Sequence, residues 1–304
     1  MYLFSVILTT YNSGKSIQRL INSINNQVGK GVQFEIEWIV IDDCSTDNTT
    51  EILTRNNVKY LSAEKNSGGP NRGRNIGLKS ATGDFICIVD HDDEWNSNKL
   101  AVMLPFLNIA PIVTSGYTNC DDTNGKIKIR VNKNLNNKHT ISYNKNQTFI
   151  NKLSKSKKGQ ITYLGSIVYN KELKNILFEE KIGQTDFDWL LALFFNQESI
   201  EITDSLYLRH ISGGNLSLKE NYRIKDYESS IEVLNKYKST FPKEAELGRK
   251  RLNGSLARYY YLINNMPLAR KYFLKSEFNI LTILYFLTTF VGSNYIKRKF
   301  EVFG

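Results

Sequence analysis

Short apolar runs recur through the N-terminal third of the chain, each closed by polar or acidic residues. Leu3-Phe4-Ser5-Val6-Ile7-Leu8 reads as a strand and ends in Thr9-Thr10-Tyr11-Asn12. Ile17, Leu20, Ile21 and Ile24 then recur at helical spacing. A second strand, Ile36 to Ile41, ends in Asp42-Asp43-Cys44-Ser45-Thr46-Asp47, after which Thr49 or Thr50 opens a short helix through Ile52-Leu53. Val58 to Leu61 is a third strand, and Asn66 to Gly77 follows it as a glycine-bearing loop with Arg72 and Arg74. Glycines permit close backbone approach, and arginines suit a phosphate. A fourth strand, Ile86-Cys87-Ile88-Val89, runs straight into Asp90-His91-Asp92-Asp93-Glu94-Trp95. Strands alternating with helices predict a mostly parallel sheet covered on both faces.

The fourth strand carries the chemistry. An apolar strand that delivers acids at its carboxyl end matches the place where open α/β sheets bind ligands. Carboxylates this close repel one another unless a cation joins them, and hard oxygen ligands suit Mg²⁺ or Mn²⁺ arriving with substrate phosphates. Taken singly, the acidic run also reads as a solvated turn, Asp42-Asp43 as a helix cap, and the glycine loop as an ordinary turn. No G-x-G-x-x-G stands between the first strand and helix, which counts against a dinucleotide-binding dehydrogenase.

In this order and spacing, the segments Ser5–Asn12, Asp42–Asp47, Gly73–Gly77 and Asp90–Asp93 resemble family 2 glycosyltransferases. These are inverting, nucleotide-sugar-dependent enzymes of the GT-A fold, a Rossmann-like α/β arrangement. The resemblance covers residues 3–217 and implies roles position by position. Thr9 and Tyr11 would line the nucleotide pocket. Asp43 would accept the N3–H of a uracil ring, with Asp42 supporting it. Arg74 would reach the diphosphate. Asp92 would ligate Mn²⁺ or Mg²⁺ directly, with Asp90 nearby towards the sugar and ribose. His91, between two acids, either points away or contacts the sugar.

The resemblance also implies a base that deprotonates the acceptor hydroxyl, the Asp of a Glu-Asp pair that begins a helix. Asp186 in Gln184-Thr185-Asp186-Phe187-Asp188 falls on that position, with Thr185 where the family has Glu. Asp188 is the alternative base, and Thr185 capping a helix is the alternative reading of the segment. His210, in Tyr207-Leu208-Arg209-His210, matches a family histidine that completes the metal site or contacts the diphosphate. Leu208 replaces the usual Arg, and Arg209 sits one step later.

From about residue 218 the pattern becomes helical, with breaks at Phe241-Pro242 and Met266-Pro267, so residues 1–217 and 218–304 are expected to form two regions. The second holds sixteen Lys and Arg against eight Asp and Glu, most of the chain's net +10. No nucleic-acid motif accompanies that charge, so nucleic acid is not an expected partner. Residues 125–160, rich in Lys and Asn, read as an irregular excursion with a short strand near Ile127 to Val131 that shapes the acceptor side or is simply solvated. Phe278 to Val291 is nearly all apolar, but fourteen helical residues span only about 21 Å against a hydrocarbon core of roughly 30 Å. It reads either as an in-plane helix on anionic lipid, aided by Lys297-Arg298-Lys299, or as a buried core helix. Three cysteines without metal spacing and no signal peptide fit a cytoplasmic protein, peripheral at the inner face of the membrane.

The expected function is metal-dependent hexosyl or N-acetylhexosaminyl transfer from a UDP-sugar to a glycan or lipid-linked oligosaccharide in O-antigen or capsule synthesis. Glycosylation of a cell-wall polymer or a protein is the alternative within the class. A non-catalytic sugar-nucleotide or glycan-binding module is the alternative outside it.

Overall fold

The computed structural model describes residues 1–132, 139–180, 186–212 and 220–292. Gly183-Gln184-Thr185, Gly213 to Ser217, and Tyr295 to Phe300, on which several expectations rest, lie outside the described residues. The chain runs β1 (Tyr2–Thr10), α1 (Ile17–Asn25), β2 (Phe34–Asp42), α2 (Thr49–Arg55), β3 (Tyr60–Ser62), α3 (Asn71–Ser80), β4 (Phe85–Asp90) and β5 (Glu94–Trp95). It continues with α4 (Lys99–Leu107), β6 (Ile112–Asp121), β7 (Ile127–Arg130), β8 (Thr140–Tyr143), α5 (Gln147–Leu153), β9 (Ile167–Asn170), α6 (Phe187–Phe194) and β10 (Ser199–Ile211). The last elements are α7 (Glu220–Tyr237), α8 (Pro242–Leu262), α9 (Met266–Phe273) and α10 (Ile280–Thr288).

One sheet has the order β3-β2-β1-β4-β9-β6-β10-β5, with β7 on β6 and β8 on β10. It is parallel from β1 to β4, as the alternation predicts. Beyond β4 it is mixed rather than mostly parallel: β9 lies antiparallel between β4 and β6, and β5 is antiparallel to β10. β9 follows α5 and the short 3-10 helix Leu164–Ser166 yet runs antiparallel to both its neighbours, which the alternation of strands and helices alone does not anticipate.

Side-chain alternation along β1 explains why both faces are covered. Phe4, Val6 and Leu8 point to one face and share a core with Ile17, Leu20, Ile21 and Ile24 of α1. Ile7 and Thr9 point to the other, where α3 lies against them. A Cβ on Gly73 would come within 2.6 Å of Thr9, and one on Gly77 would run into Ile7. These glycines therefore serve a helix rather than the expected loop. Within that segment only residues 66–70 are loop; Asn71–Ser80 is helical, and its two glycines, four apart, let the helix lie close against the strand.

The 125–160 excursion is also more regular than expected. β7 pairs with β6 and β8 with β10. The buried Glu201 carboxylate accepts from Asn132 Nδ2 at 2.9 Å and Tyr143 Oη at 2.8 Å, tying both arms to β10.

The chain divides into two compact units. The first comprises Met1–Phe149, Gly159–Ile182 and Asp188–Asn215; the second comprises Ile150–Lys158, Gly183–Phe187 and Leu216–Gly304. In the second, α8 and α9 begin at the expected prolines, which suit a helix's first turn because they lack an N–H. Leu256, Tyr260, Tyr261, Met266 and Phe273 form its core, and Tyr285 and Phe286 of α10 pack against it. The rest of α10 is not a buried core helix: Ile280 is 79% exposed, and Leu281, Leu284 and Leu287 are all more than half exposed. No described helix is long and apolar enough to cross a membrane.

Candidate active site

Register brings the motifs together. Across β1 and β4, Thr9 stands opposite Asp90; across β1 and β2, Thr10 stands opposite Asp42. Thr9 to Tyr11, Asp42-Asp43 and Asp90 to Asp93 thus gather at the carboxyl ends of three neighbouring parallel strands, the ligand edge of an open α/β sheet.

At β2, Asp42 takes the Ser45 amide at 3.1 Å and its hydroxyl at 2.5 Å. This holds the turn in which Cys44 adopts φ +66°. Asn12 closes the same turn, donating from its amide to Ser45 Oγ and accepting from the Thr46 amide at 2.8 Å. Asp42 thus holds the turn that follows Asp43. Asp43 is buried and accepts the Ser67 amide and hydroxyl at 3.0 Å, while its own amide donates to Thr10 O at 2.8 Å. A carboxylate has about four lone-pair positions, so Asp43 keeps capacity for a ligand N–H. Tyr11 is exposed at the rim, and Thr9 Oγ1 donates to Pro70 O.

Arg74 on α3 is buried. Its Nη2 meets Asp90 Oδ1 at 2.8 Å, its Nη1 donates to Asn71 Oδ1, and its guanidinium lies over the Phe178 ring. In this arrangement Arg74 fixes Asp90. Phe178 stacks on Trp189 and is itself held by Asn75, which bonds both its amide and its carbonyl.

Within the acidic loop the carboxylates separate by environment. Asp93 is buried and accepts Tyr207 Oη at 2.8 Å, Tyr163 Oη at 3.1 Å and the His210 amide at 2.9 Å. Burial, then repulsion from Asp90 and Asp92, pushes its carboxyl well above the usual range. It is an internal brace between the β4 loop and β10. Asp92 is half-buried, and its carboxyl is raised first by burial, with His91 opposing and Asp90 adding to the rise. Arg19 of α1 holds the Asp92 carbonyl at 2.6 Å, and His91 Nδ1 contacts Ser16 Oγ at 3.3 Å.

His210 Nδ1 lies 2.8 Å from Asp122 Oδ1. Since a carboxylate only accepts, Nδ1 carries a proton in this contact. Nε2 is buried without a hydrogen-bond partner among the described residues; Glu94 Oε2 is 3.5 Å away. A carboxylate-oriented imidazole with an unsatisfied nitrogen suits a metal ligand. By donor chemistry alone, carboxylates such as Asp92 and Asp90 and an imidazole such as His210 are of the kinds that ligate Mg²⁺ or Mn²⁺. Among the described residues no group of three or more His, Cys, Asp or Glu side chains is placed to hold a metal ion.

Asp186 occupies the turn before α6 and is half-buried. By compactness it groups with the second unit, whereas Asp188, in the first turn of α6, groups with the first.

Sequence reading missed Asp122, Tyr163, Ser67, Asn71 and Phe178. Asp122, Tyr163 and Phe178 lie far along the chain from their partners, while Ser67 and Asn71 sit inside the glycine-bearing segment with nothing in their type to mark a role. Asp93 was visible in the acidic run but gave no sign that it faces inward.

Residues 5–176, more than half the chain, match the family described as Glycosyl transferase family 2. The chain belongs to that family. It is 45% identical over 112 residues to the Staphylococcus aureus poly(ribitol-phosphate) beta-N-acetylglucosaminyltransferase TarS, a match covering 36% of this chain and 19% of that protein. It is 28% identical to the Bacillus subtilis minor teichoic acid biosynthesis protein GgaA, over 96% of this chain and 60% of that protein. The crystal structure of S. aureus TarS 1-349 in complex with UDP-GlcNAc superposes with a TM-score of 0.59 at 21% identity, covering 99% of this chain and 93% of that one. That likeness shows a shared GT-A fold. The chain spans less than two-thirds of the length of these two curated relatives.

Proposed function

We propose that this family 2 member transfers a sugar from a UDP-linked donor, with inversion, to a hydroxyl of a phosphate-containing cell-wall polymer. The single observation that carries the donor half is the register-aligned edge, with Asp42-Asp43 beside Thr9 to Tyr11 and the Asp90–Asp93 loop. Asp43 reads a base N–H, and Asp90 is held by Arg74 towards the sugar side. The acceptor half rests on the poly(ribitol-phosphate) and teichoic acid relatives. They favour such a polymer over O-antigen or capsule, and over the protein acceptor and the non-catalytic module.

Asp186 takes the proton from the acceptor hydroxyl as that oxygen attacks the anomeric carbon from the face opposite the departing UDP. An α-linked donor then gives a β-product. A positioned base contributes about 10² to 10⁴ in rate. A divalent cation held by Asp92, Asp90 and His210 would stabilise charge on the leaving diphosphate. Asp93 holds the loop that presents Asp92 and, through the His210 amide, the strand that presents the imidazole. On the same reading the exposed apolar face of α10 rests on the inner membrane surface.

Asp186→Asn tests the reaction. Turnover of UDP-sugar into polymer should fall by about 10² or more, with UDP affinity unchanged. Retained turnover would remove Asp186 from the role of base.

A further inference from the structure

The helical unit holds a cavity of about 670 Å³, distinct from the nucleotide edge in its residues. Six cations line it: Lys155, Lys157, Lys158, Lys250, Arg251 and Arg258, against two acids, Asp226 and Glu277. One of the acids is already paired. Glu277 meets Arg251 Nε at 2.8 Å, and Arg251 also donates to Ser154 O at 2.9 Å, so this pair forms a fixed wall. Asp226 acts electrostatically on Lys155. Lys157, Lys158, Lys250 and Arg258 then leave a surplus of positive charge around a concave space. The three lysines are exposed and Arg258 is half-buried.

Gathered cations repel one another and focus their field into a concave space. Burial also disfavours two of them, holding Lys155 down to about 8 and Arg258 below its usual range. A bound anion offsets both costs. The volume lies within the range of roughly 300–1,000 Å³ typical of ligand sites, far more than one phosphate needs. Ser255, Ser276 and Asn279 add hydroxyl and amide groups to the same lining, which suits a ligand rich in hydroxyls.

We propose that this cavity binds a phosphodiester of an anionic polyol-phosphate chain together with its flanking hydroxyl-bearing unit. The inference rests on the polymer acceptor proposed above and gives that polymer a second hold on the protein. None of the cavity's residues belongs to the donor site. Binding should weaken steeply with salt, because each phosphate–cation contact releases counterions.

The test is calorimetric titration of the full chain with a synthetic glycerol-phosphate oligomer at low and high salt, beside an uncharged glycan of equal length. The exposed-site variant Lys157→Gln/Lys158→Gln/Lys250→Gln should bind the oligomer about tenfold more weakly than wild type. Lys157→Arg/Lys158→Arg/Lys250→Arg should keep most of the affinity. UDP affinity should be the same in all three proteins, which shows that they are folded and intact at the donor site. Equal oligomer affinity in wild type and the Gln variant would overturn the proposal, as would equal binding of the uncharged glycan. Binding only to vesicles of phosphatidylglycerol in phosphatidylcholine would also overturn it and assign the charge to a lipid surface. If UDP binds and the oligomer does not, the cavity proposal alone fails. If the oligomer binds in a charge-dependent way and UDP does not, the donor reading fails and the cavity proposal stands.

Discussion

Removing the Asp93 carboxylate should unbrace the acidic loop. Asp93→Ala leaves Tyr163 Oη, Tyr207 Oη and the His210 amide without their acceptor at a buried position. A buried donor left unsatisfied costs about 1–3 kcal/mol, which sets a ceiling of roughly 3–9 kcal/mol for three. Two effects reduce it. The carboxylate is itself disfavoured by burial and by Asp90 and Asp92, and water can enter the vacated space. A net loss of about 3–5 kcal/mol follows, the usual range for breaking a buried polar cluster from one side. In a unit of this size that lowers Tm by about 6–20 °C.

Asp93→Asn keeps one acceptor oxygen and the shape, so it should lose about 1–3 kcal/mol. The pH dependence follows from the raised folded pKa. Asp93 favours the fold fully below its unfolded value and loses that contribution as pH rises through the folded value. Wild type should therefore exceed Asp93→Asn by more at pH 5 than at pH 8. Urea denaturation at the two pH values, with thermal melts of Asp93→Ala, measures all of this. An Ala variant within about 0.5 kcal/mol of wild type, inside ordinary surface-substitution scatter, would refute the bracing argument.

Two further substitutions probe the same support. Gly165→Ala places a Cβ against the ring of the buried Tyr207 and should cost about 1–3 kcal/mol by overpacking; an unchanged denaturation midpoint would show that the ring moves freely. Lys99 is fully buried, with Nζ on Gly165 O at 2.9 Å and over the Trp95 ring, and burial lowers it to about 8. Its folded pKa lies below the unfolded value, so the charged form is penalised at neutral pH and wild type gains stability between about pH 8 and 10.4. Lys99→Met should lack that rise in pH-dependent melts, and a parallel profile would contradict the assignment.

The alternation of apolar runs with polar ends made β1 to β4 and the ligand edge legible, because each strand is a local run and each motif follows its strand directly. α3 was hidden by composition. Gly73 and Gly77 look like loop residues until their contact with Thr9 and Ile7 is known, and that contact joins residues some seventy positions apart. The same distance concealed the brace at Asp93, whose partners Tyr163, Tyr207 and His210 come from the far side of the sheet. α10 was legible as an apolar segment, but its sequence could not choose between a buried and an exposed face. That choice depends on which side chains Tyr261 and Phe273 admit, and they admit Tyr285.

Calorimetric titration of UDP, GDP and CMP with and without Mn²⁺ tests the central claim most directly. The account predicts that UDP alone binds well and that Mn²⁺ strengthens it, with Asp92→Asn abolishing the metal effect. Tighter binding of GDP, or no binding of any of the three, would contradict it.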